Sequence, residues 1–183
     1  MHLRFLYVLS LMLICFSCTD PRYGKADEQI QKFRSQLNKY KEDFEKVDTT
    51  ELNQIARTIK SGIDSIEILA VENKWVLEKE EAEFLTNYKS IAAPAKMLSE
   101  KAQILHSDLI YSEKQLATLQ TDIQKRSQPI DSVLKYLKVE EEALKTIAKS
   151  TQNMVEGNQV LKARYQLLYP QYNYYVSRIR TRE

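Results

Sequence analysis

A seven-residue hydrophobic repeat runs through most of this chain, and it restricts the possible folds more than any other feature. From Leu98 to Ile179 one heptad phase can be followed, and 19 of its 24 a and d positions are apolar or aromatic. Chance would fill about 10 of these positions. Two earlier stretches, Ile30–Val47 and Leu52–Ala70, show the same three- and four-residue spacing. This spacing is typical of helices that bury one apolar stripe against other helices.

Glycine and proline are scarce, with three Gly and four Pro among 183 residues. Sandwiches, barrels and doubly wound sheets need turn residues at regular intervals, so these folds are disfavoured. The sequence therefore predicts an all-α fold, namely an elongated antiparallel three- to four-helix bundle over residues 26–183. The alternative architecture is an extended coiled coil that needs a second chain.

Capping and proline signals separate the predicted helices. Asp48-Thr49-Thr50 supplies N-cap residues, and Pro94, Pro129 and Pro170 each indicate a hairpin or a kink. Gly62 in mid-helix indicates either a close approach of another helix or a flexible point. The expected helices cover residues 26–47, 50–91, 95–126, 129–168 and a short C-terminal helix at 171–181.

The first eighteen residues differ from the rest of the chain. A short basic segment, Met1–Arg4, precedes an apolar run from Phe5 to Phe16. This run is shorter than the about 20 residues that a membrane-spanning helix needs, and it fits the apolar region of a secretory signal peptide. Residues 1–17 are therefore predicted to be a signal peptide. Residues 18–25, which include a proline and a glycine, are predicted to be a tether.

The end of this segment, Cys15-Phe16-Ser17-Cys18, resembles the lipobox of bacterial lipoproteins. In that family the cysteine after a small residue carries a diacylglycerol on its sulfur and usually an acyl chain, such as palmitate, on its amino group. The resemblance implies lipid attachment at Cys18 and anchoring in a membrane of the cell envelope. Thr19 follows that cysteine, which implies the outer rather than the inner membrane, facing the periplasm or the surface. Plain secretion and an uncleaved anchor are the alternatives.

The ionisable residues do not indicate catalysis. The 27 basic and 25 acidic residues leave a net charge of +2, which gives no argument for nucleic-acid binding. After loss of residues 1–17, His106 is the remaining histidine, on a solvent-facing heptad position, and Cys18 the remaining cysteine. Glu140 takes a core position, but the Glu-x-x-His pairs of di-iron bundles are missing. We therefore expect no enzymatic activity, no cofactor and no metal site.

Five polar residues occupy core positions of the long heptad phase. Polar residues at such positions often fix the register of packed helices rather than serve chemistry, and we interpret them in this way. They are Ser112, Arg126, Glu140, Thr151 and Asn158.

The C-terminal segment is the strongest candidate for a binding surface. Five tyrosines lie within residues 165–175, and arginines follow at alternate positions. Tyrosine and arginine are enriched at binding hot spots. In the alternative interpretation, Tyr165, Tyr172 and Tyr175 fill core positions and Tyr174 packs back on the bundle. The candidate partner-binding residues are Tyr169, Tyr172, Tyr174, Arg178 and Arg180.

Together these features predict a lipid-anchored cell-envelope protein without enzymatic activity, either a monomer or a homodimer. It is expected to act as a tether, spacer or adaptor for a protein partner, with the lipid as its contact to the membrane and no nucleic-acid partner. The alternative function is a surface-exposed module that captures an extracellular protein or a glycan through the Tyr/Arg-rich C-terminal end.

Overall fold

The structure is a computed structural model that describes residues 20–181, without the side chains of Ile179 and Arg180. Over these residues the chain forms five helices and no strand. The fold is therefore an all-α helical bundle, as the heptad repeat predicts. The predicted signal peptide and Cys18 lie outside the described residues. The helices are α1 (Arg22–Glu45), α2 (Thr49–Glu72), α3 (Lys79–Lys89), α4 (Ala92–Lys125) and α5 (Ile130–Arg180).

The chain divides into two compact units. The first unit comprises the described residues up to Leu37 together with Tyr111–Lys145, so it contains segments of α1, α4 and α5. The second unit comprises Asn38–Ile110 and the described residues from Thr146 onward. It therefore contains the end of α1, the whole of α2 and α3, and the remaining parts of α4 and α5.

In the first unit α1 and α4 are antiparallel. The Tyr23 hydroxyl, at the start of α1, donates to the carbonyl of Gln128 at 2.8 Å. Arg34, three turns further along α1, donates to the side chain of Gln120, which lies in α4 and precedes Gln128 in the chain. The buried side chains of this unit come from all three helical segments, and they include Ile30, Phe33, Leu37, Leu116, Leu119, Ile123, Val133 and Leu137.

In the second unit α2 runs parallel to α5. Glu51 in the first turn of α2 forms an ion pair with Lys162, and Gly62 further along α2 meets Tyr172. The apolar positions of α2 are buried because they recur at three- and four-residue spacing on one face of the helix. They are Leu52, Ile55, Ile59, Ile63 and Ile66.

The predicted N-cap of α2 is confirmed. The Asp48 carboxylate accepts hydrogen bonds from the backbone amides of Thr50 at 2.9 Å and Glu51 at 3.0 Å. These amides have no partner within the helix, so the cap stabilises its first turn.

The single helix expected over residues 50–91 is wrong, because α2 ends at Glu72 and α3 begins at Lys79. The end of α2 is closed by its own backbone. Lys74 adopts a left-handed conformation with φ 54°, and the amide of Trp75 donates to the carbonyl of Ala70 at 2.8 Å. The Asn73 side chain also donates to the carbonyl of Leu69 at 3.0 Å. Such a C-terminal motif ends a helix even without glycine.

The four prolines act differently from one another. Pro129 precedes α5 and follows a turn in which Arg126 has φ 50°, so this position is a hairpin. Pro94 lies in the first turn of α4, where the missing amide hydrogen is not needed, so the break falls just before Ala92. Pro170 lies inside α5, so the separate helix predicted at 171–181 is wrong. Pro21 immediately precedes α1, and residues 22–25 of the predicted tether are helical.

The heptad core is largely where the sequence predicts it. The a and d leucines of α4, such as Leu105 and Leu109, are buried. Among the polar core positions Ser112, Thr151 and Asn158 are buried and Glu140 is half-buried. Arg126 is exposed, because it belongs to the turn before Pro129 rather than to a core layer.

Candidate functional site

The tyrosine-rich segment forms the last turns of α5. A proline inside a helix removes one backbone hydrogen bond and crowds the preceding turn. Tyrosines on both sides of Pro170 pack against α3, and the Gln171 side chain donates to the carbonyl of Leu167 at 3.3 Å. This packing stabilises the helix across the proline, so the tyrosine side chains point in the regular directions of one continuous helix.

Three of these tyrosines pack on the aromatic side chains of α3. The ring centroid of Tyr172 lies 4.7 Å from that of Tyr88, and the ring centroid of Tyr175 lies 4.7 Å from that of Phe84. Tyr165 lies 6.5 Å from Tyr88 on the preceding turns. Aromatic pairs at such separations stabilise the fold beyond the area they bury. These tyrosines therefore belong to the internal packing of the second unit.

Tyr88 is the centre of this aromatic cluster and is fully buried. Burial raises the pKa of the Tyr88 hydroxyl far above its usual value, and the neighbouring Tyr165 and Tyr172 raise it further. Burial also raises the pKa of Tyr165. A buried phenolate would lose its hydration, so the folded protein holds Tyr88 in its neutral form.

Arg178 connects the end of α5 to the start of α3. Its Nη2 lies 3.3 Å from Oε2 of Glu78, and its Nε lies 4.0 Å from Oε1 of Glu81. Glu81 is buried, and its Oε2 accepts a hydrogen bond from the backbone amide of Glu78 at 3.0 Å. The negative charge of Glu78 raises the pKa of Arg178. Arg178 therefore stabilises the first turn of α3.

The structure thus separates the residues that the sequence predicts as one binding patch. Tyr172 and Arg178 make internal contacts, whereas Tyr174 and, to a lesser degree, Tyr169 are exposed. Tyr174 touches the edge of its neighbour in the chain, and Tyr169 lies against Tyr165 with centroids 5.2 Å apart. The side chain of Arg180 lies outside the described residues. Among the described side chains of that patch, Tyr169 and Tyr174 are therefore the exposed ones.

Exposed apolar side chains recur every seven residues on α4 and α5 of the second unit. On α5 they are Val160, Leu167 and Tyr174, with 70%, 67% and 60% of their surface exposed. On α4 they are Met97 and Ile104, with 50% and 63% exposed. We call these five residues the exposed stripe. Seven-residue spacing places them on one face of each helix, beside the buried core positions.

Two open grooves between α4 and α5 adjoin the exposed stripe. A groove of 450 Å³ has Met97 of α4 on one side and Val160 of α5 on the other, and Gly157 of α5 also lines it. A groove of 290 Å³ lies next to it and includes Ile104 and Met154. The sequence also indicates this surface, because an apolar residue precedes several a positions of the heptad. A count of a and d positions alone does not include these residues.

His106 and Glu140 are the other described residues considered for chemistry from the sequence. His106 is exposed, as its heptad position predicts, and its ring stacks on Phe44 with centroids 6.0 Å apart. Burial raises the pKa of the half-buried Glu140. Among residues 20–181 no group of three or more His, Cys, Asp or Glu side chains is arranged to hold a metal ion.

No helix in the described part of the chain has both the length and the hydrophobicity needed to cross a membrane. No protein-family model, curated protein or solved structure matches the chain. The candidate site is therefore defined by the geometry of the exposed stripe.

Proposed function

We propose that this chain is a lipid-anchored adaptor of the bacterial cell envelope, without enzymatic activity, which holds a protein partner near the membrane. The anchor is the lipid on Cys18, and its support is the resemblance of Cys15-Phe16-Ser17-Cys18 to a lipobox. The same resemblance, with Thr19 after the cysteine, favours the outer membrane. Two or more acyl chains anchor a protein stably, whereas a single chain binds only marginally.

The exposed stripe is the single observation that most supports the adaptor function. Single exposed apolar residues are normal on a protein surface, but aligned ones form a patch that usually marks an interaction site. Val160 and Leu167 are about two-thirds exposed and lie two turns apart on the same face of α5. A surface of this kind is stabilised when another protein covers it.

The spacing of the stripe also indicates the shape of the partner. Apolar residues at seven-residue intervals fit a second helix that carries its own heptad pattern and crosses at a small angle. The grooves beside Met97 and Ile104 provide room for the apolar side chains of such a helix. The partner that we propose is therefore a protein with an amphipathic helix, bound along α4 and α5.

Glycan capture through the C-terminal end has less support. Stacking on a sugar requires exposed aromatic faces, yet Tyr172 is packed between α2 and α3 and Arg178 is paired with Glu78. Tyr174 remains exposed, and it continues the line of Val160 and Leu167. The C-terminal tyrosines are thus better explained as the end of a protein-binding stripe.

A native-size measurement tests this function. The full-length protein is extracted from membranes of its own cells in mild detergent, and its size is compared with that of the Leu167→Glu and Gln166→Glu variants. A carboxylate at Leu167 is expected to release the partner, because it places a charge in an apolar contact. Gln166→Glu adds the same charge at the adjacent exposed position and is expected to keep the complex.

The measured size distinguishes the possible results. A complex larger than one chain that contains a second protein and is lost only in Leu167→Glu supports the adaptor function. A complex that contains two copies of this chain and no second protein would identify the stripe as a homodimer interface and contradict the proposed protein partner. A single-chain size for the unmodified protein, or equal loss in both variants, would also contradict it.

A further inference from the structure

Another groove in the second unit has a basic rim. It has a volume of 680 Å³ and lies between α2 on one side and the end of α3 with the start of α4 on the other. Its charged lining residues are four cations and one carboxylate, although the whole chain is nearly neutral. They are Arg57, Lys60, Lys89, Lys96 and Asp64.

Two of the four cations have no ion-pair partner among residues 20–181. Arg57 and Lys60 make no ion pair with any residue in the described part of the chain. Lys89 lies 3.0 Å from Glu67, and Lys96 lies 3.7 Å from a glutamate one turn further along α4, both on the exposed surface. Exposed ion pairs of this kind contribute little to the stability of the fold. The four cations of the rim outnumber the three carboxylates beside them, Asp64, Glu67 and Glu100, so the rim keeps a net positive charge.

The floor of the groove is apolar and built from small residues. Its apolar lining residues are Ala56, Ile59 and Ile63 of α2 and Ala92 and Ala93 of α4, and the two isoleucines are buried. Alanines at these positions create the depth of the groove, because longer side chains would fill the space between the two helices. The floor therefore accepts apolar side chains, while the rim favours anionic groups.

The positions of the cations indicate what kind of anion fits. Arg57 and Lys60 lie about one turn apart along α2. On the opposite side, Lys89 is the last residue of α3 and Lys96 lies in the second turn of α4. A lipid carries its charge at one end of an apolar chain, so it would leave most of these cations without a partner. An amphipathic helix with acidic residues on both flanks of an apolar ridge places carboxylates along both sides at once.

We propose that this basic groove binds an acidic amphipathic helix of a protein partner. Its apolar ridge lies on Ala56, Ala92 and Ala93, and its flanking carboxylates pair with the cations of the rim. None of the residues of the exposed stripe lines this groove. The proposal therefore concerns a separate surface and does not depend on the adaptor function.

Fluorescence anisotropy with two synthetic helical peptides tests the groove. Both peptides have about 14 residues, or about 20 Å of helix, with alanine and leucine on one face. One carries glutamate on both flanks and the other carries glutamine there. The full-length protein in detergent is expected to bind the glutamate peptide about tenfold more tightly, and added salt is expected to weaken this binding.

Variants of the protein locate the binding site. Arg57→Gln with Lys60→Gln is expected to weaken binding of the glutamate peptide about fivefold. The matched control is Lys135→Gln with Lys149→Gln, which removes the same charge from two exposed positions outside the groove and is expected to leave binding unchanged.

Three results would overturn the proposal. Equal binding of both peptides would show that charge does not select the ligand. Equal weakening by both double variants would show that only the net charge matters. If phosphatidylglycerol vesicles bind in a manner that depends on Arg57 and Lys60 while the glutamate peptide does not, the groove recognises a lipid surface instead.

Discussion

The side chain of Tyr172 in α5 occupies the space above Gly62 in α2. A Cβ atom on Gly62 would lie 2.6 Å from the hydroxyl oxygen of Tyr172 and 2.8 Å from its ring carbon Cζ. Because Gly62 has no side chain, the Tyr172 ring reaches across to Tyr88 in α3. The glycine in mid-helix thus permits a close approach, as the sequence suggests, but the approaching group is a side chain rather than another helix.

Gly62→Ala is expected to lower the free energy of unfolding by about 1–3 kcal/mol, because the new methyl group overlaps the Tyr172 ring. Denaturant unfolding followed by far-UV circular dichroism measures this change. In a Tyr172→Leu background the overlap disappears, so the same substitution is expected to be neutral or to stabilise α2 by up to about 1 kcal/mol. An equal loss in both backgrounds would show that Tyr172 is not the obstacle. Gly24→Ala serves as a control, since nothing lies within 4 Å of the added atom.

Deletion of residues 171–183 is expected to destabilise the second unit. A C-terminal helix that folds independently could be removed without loss of stability. These residues instead contribute Tyr172, Tyr175 and Arg178 to the packing of α3. We expect a lower melting temperature and faster proteolysis within α3. The matched variant Tyr174→Ala removes an exposed ring and is expected to leave the melting temperature unchanged. A deletion as stable as the full chain would contradict this packing.

The stability of the protein is expected to fall at alkaline pH because of Tyr88. The folded state raises the pKa of this hydroxyl above its value in the unfolded chain, so the folded protein holds the proton more tightly. The stabilisation is complete below pH of about 10 and is lost as the pH rises above that value. Denaturant unfolding between about pH 8 and 11 measures the loss. Tyr88→Phe is expected to flatten the profile, and an unchanged slope in that variant would assign the effect to other groups.

Cys18 is expected to determine membrane association. The unmodified protein is expected to incorporate a fatty-acid probe and to sediment with membranes, because several acyl chains bind far more strongly than one. Cys18→Ala is expected to release the protein from membranes or to leave the precursor uncleaved. A correctly cleaved Cys18→Ala protein that stays with the membrane would contradict the lipid anchor.

The sequence predicts those parts of the fold that follow from spacing and local chemistry. Leu105 and Leu109 are buried because the heptad places them on the core face, and Asp48 caps α2 because its side chain matches the free amides. The break after Glu72 has a weaker signal, since the heptad loses its regularity near Asn73 and Lys74. Sequence patterns do not predict this break, because lysine rarely adopts the left-handed conformation that closes the helix.

Tertiary contacts determine the features that local sequence signals do not predict. Pro170 normally ends a helix, but Tyr165 and Tyr172 hold both flanks of the proline against α3, so the helix continues. Spacing alone also leaves open whether a tyrosine is packed or exposed. Tyr172 is packed because Gly62 leaves room for it, and Tyr174 is exposed because none of the helices within residues 20–181 covers it.

The central claim is that a protein partner binds the exposed stripe. Site-specific photo-crosslinking in living cells tests this claim most directly. A photoreactive amino acid replaces Leu167 in one strain and the neighbouring exposed Gln166 in another, so both proteins keep Cys18. We predict one reproducible crosslink to a second protein from position 167 and little or none from position 166. No crosslink from position 167, or equal crosslinks from both positions, would contradict binding along this stripe.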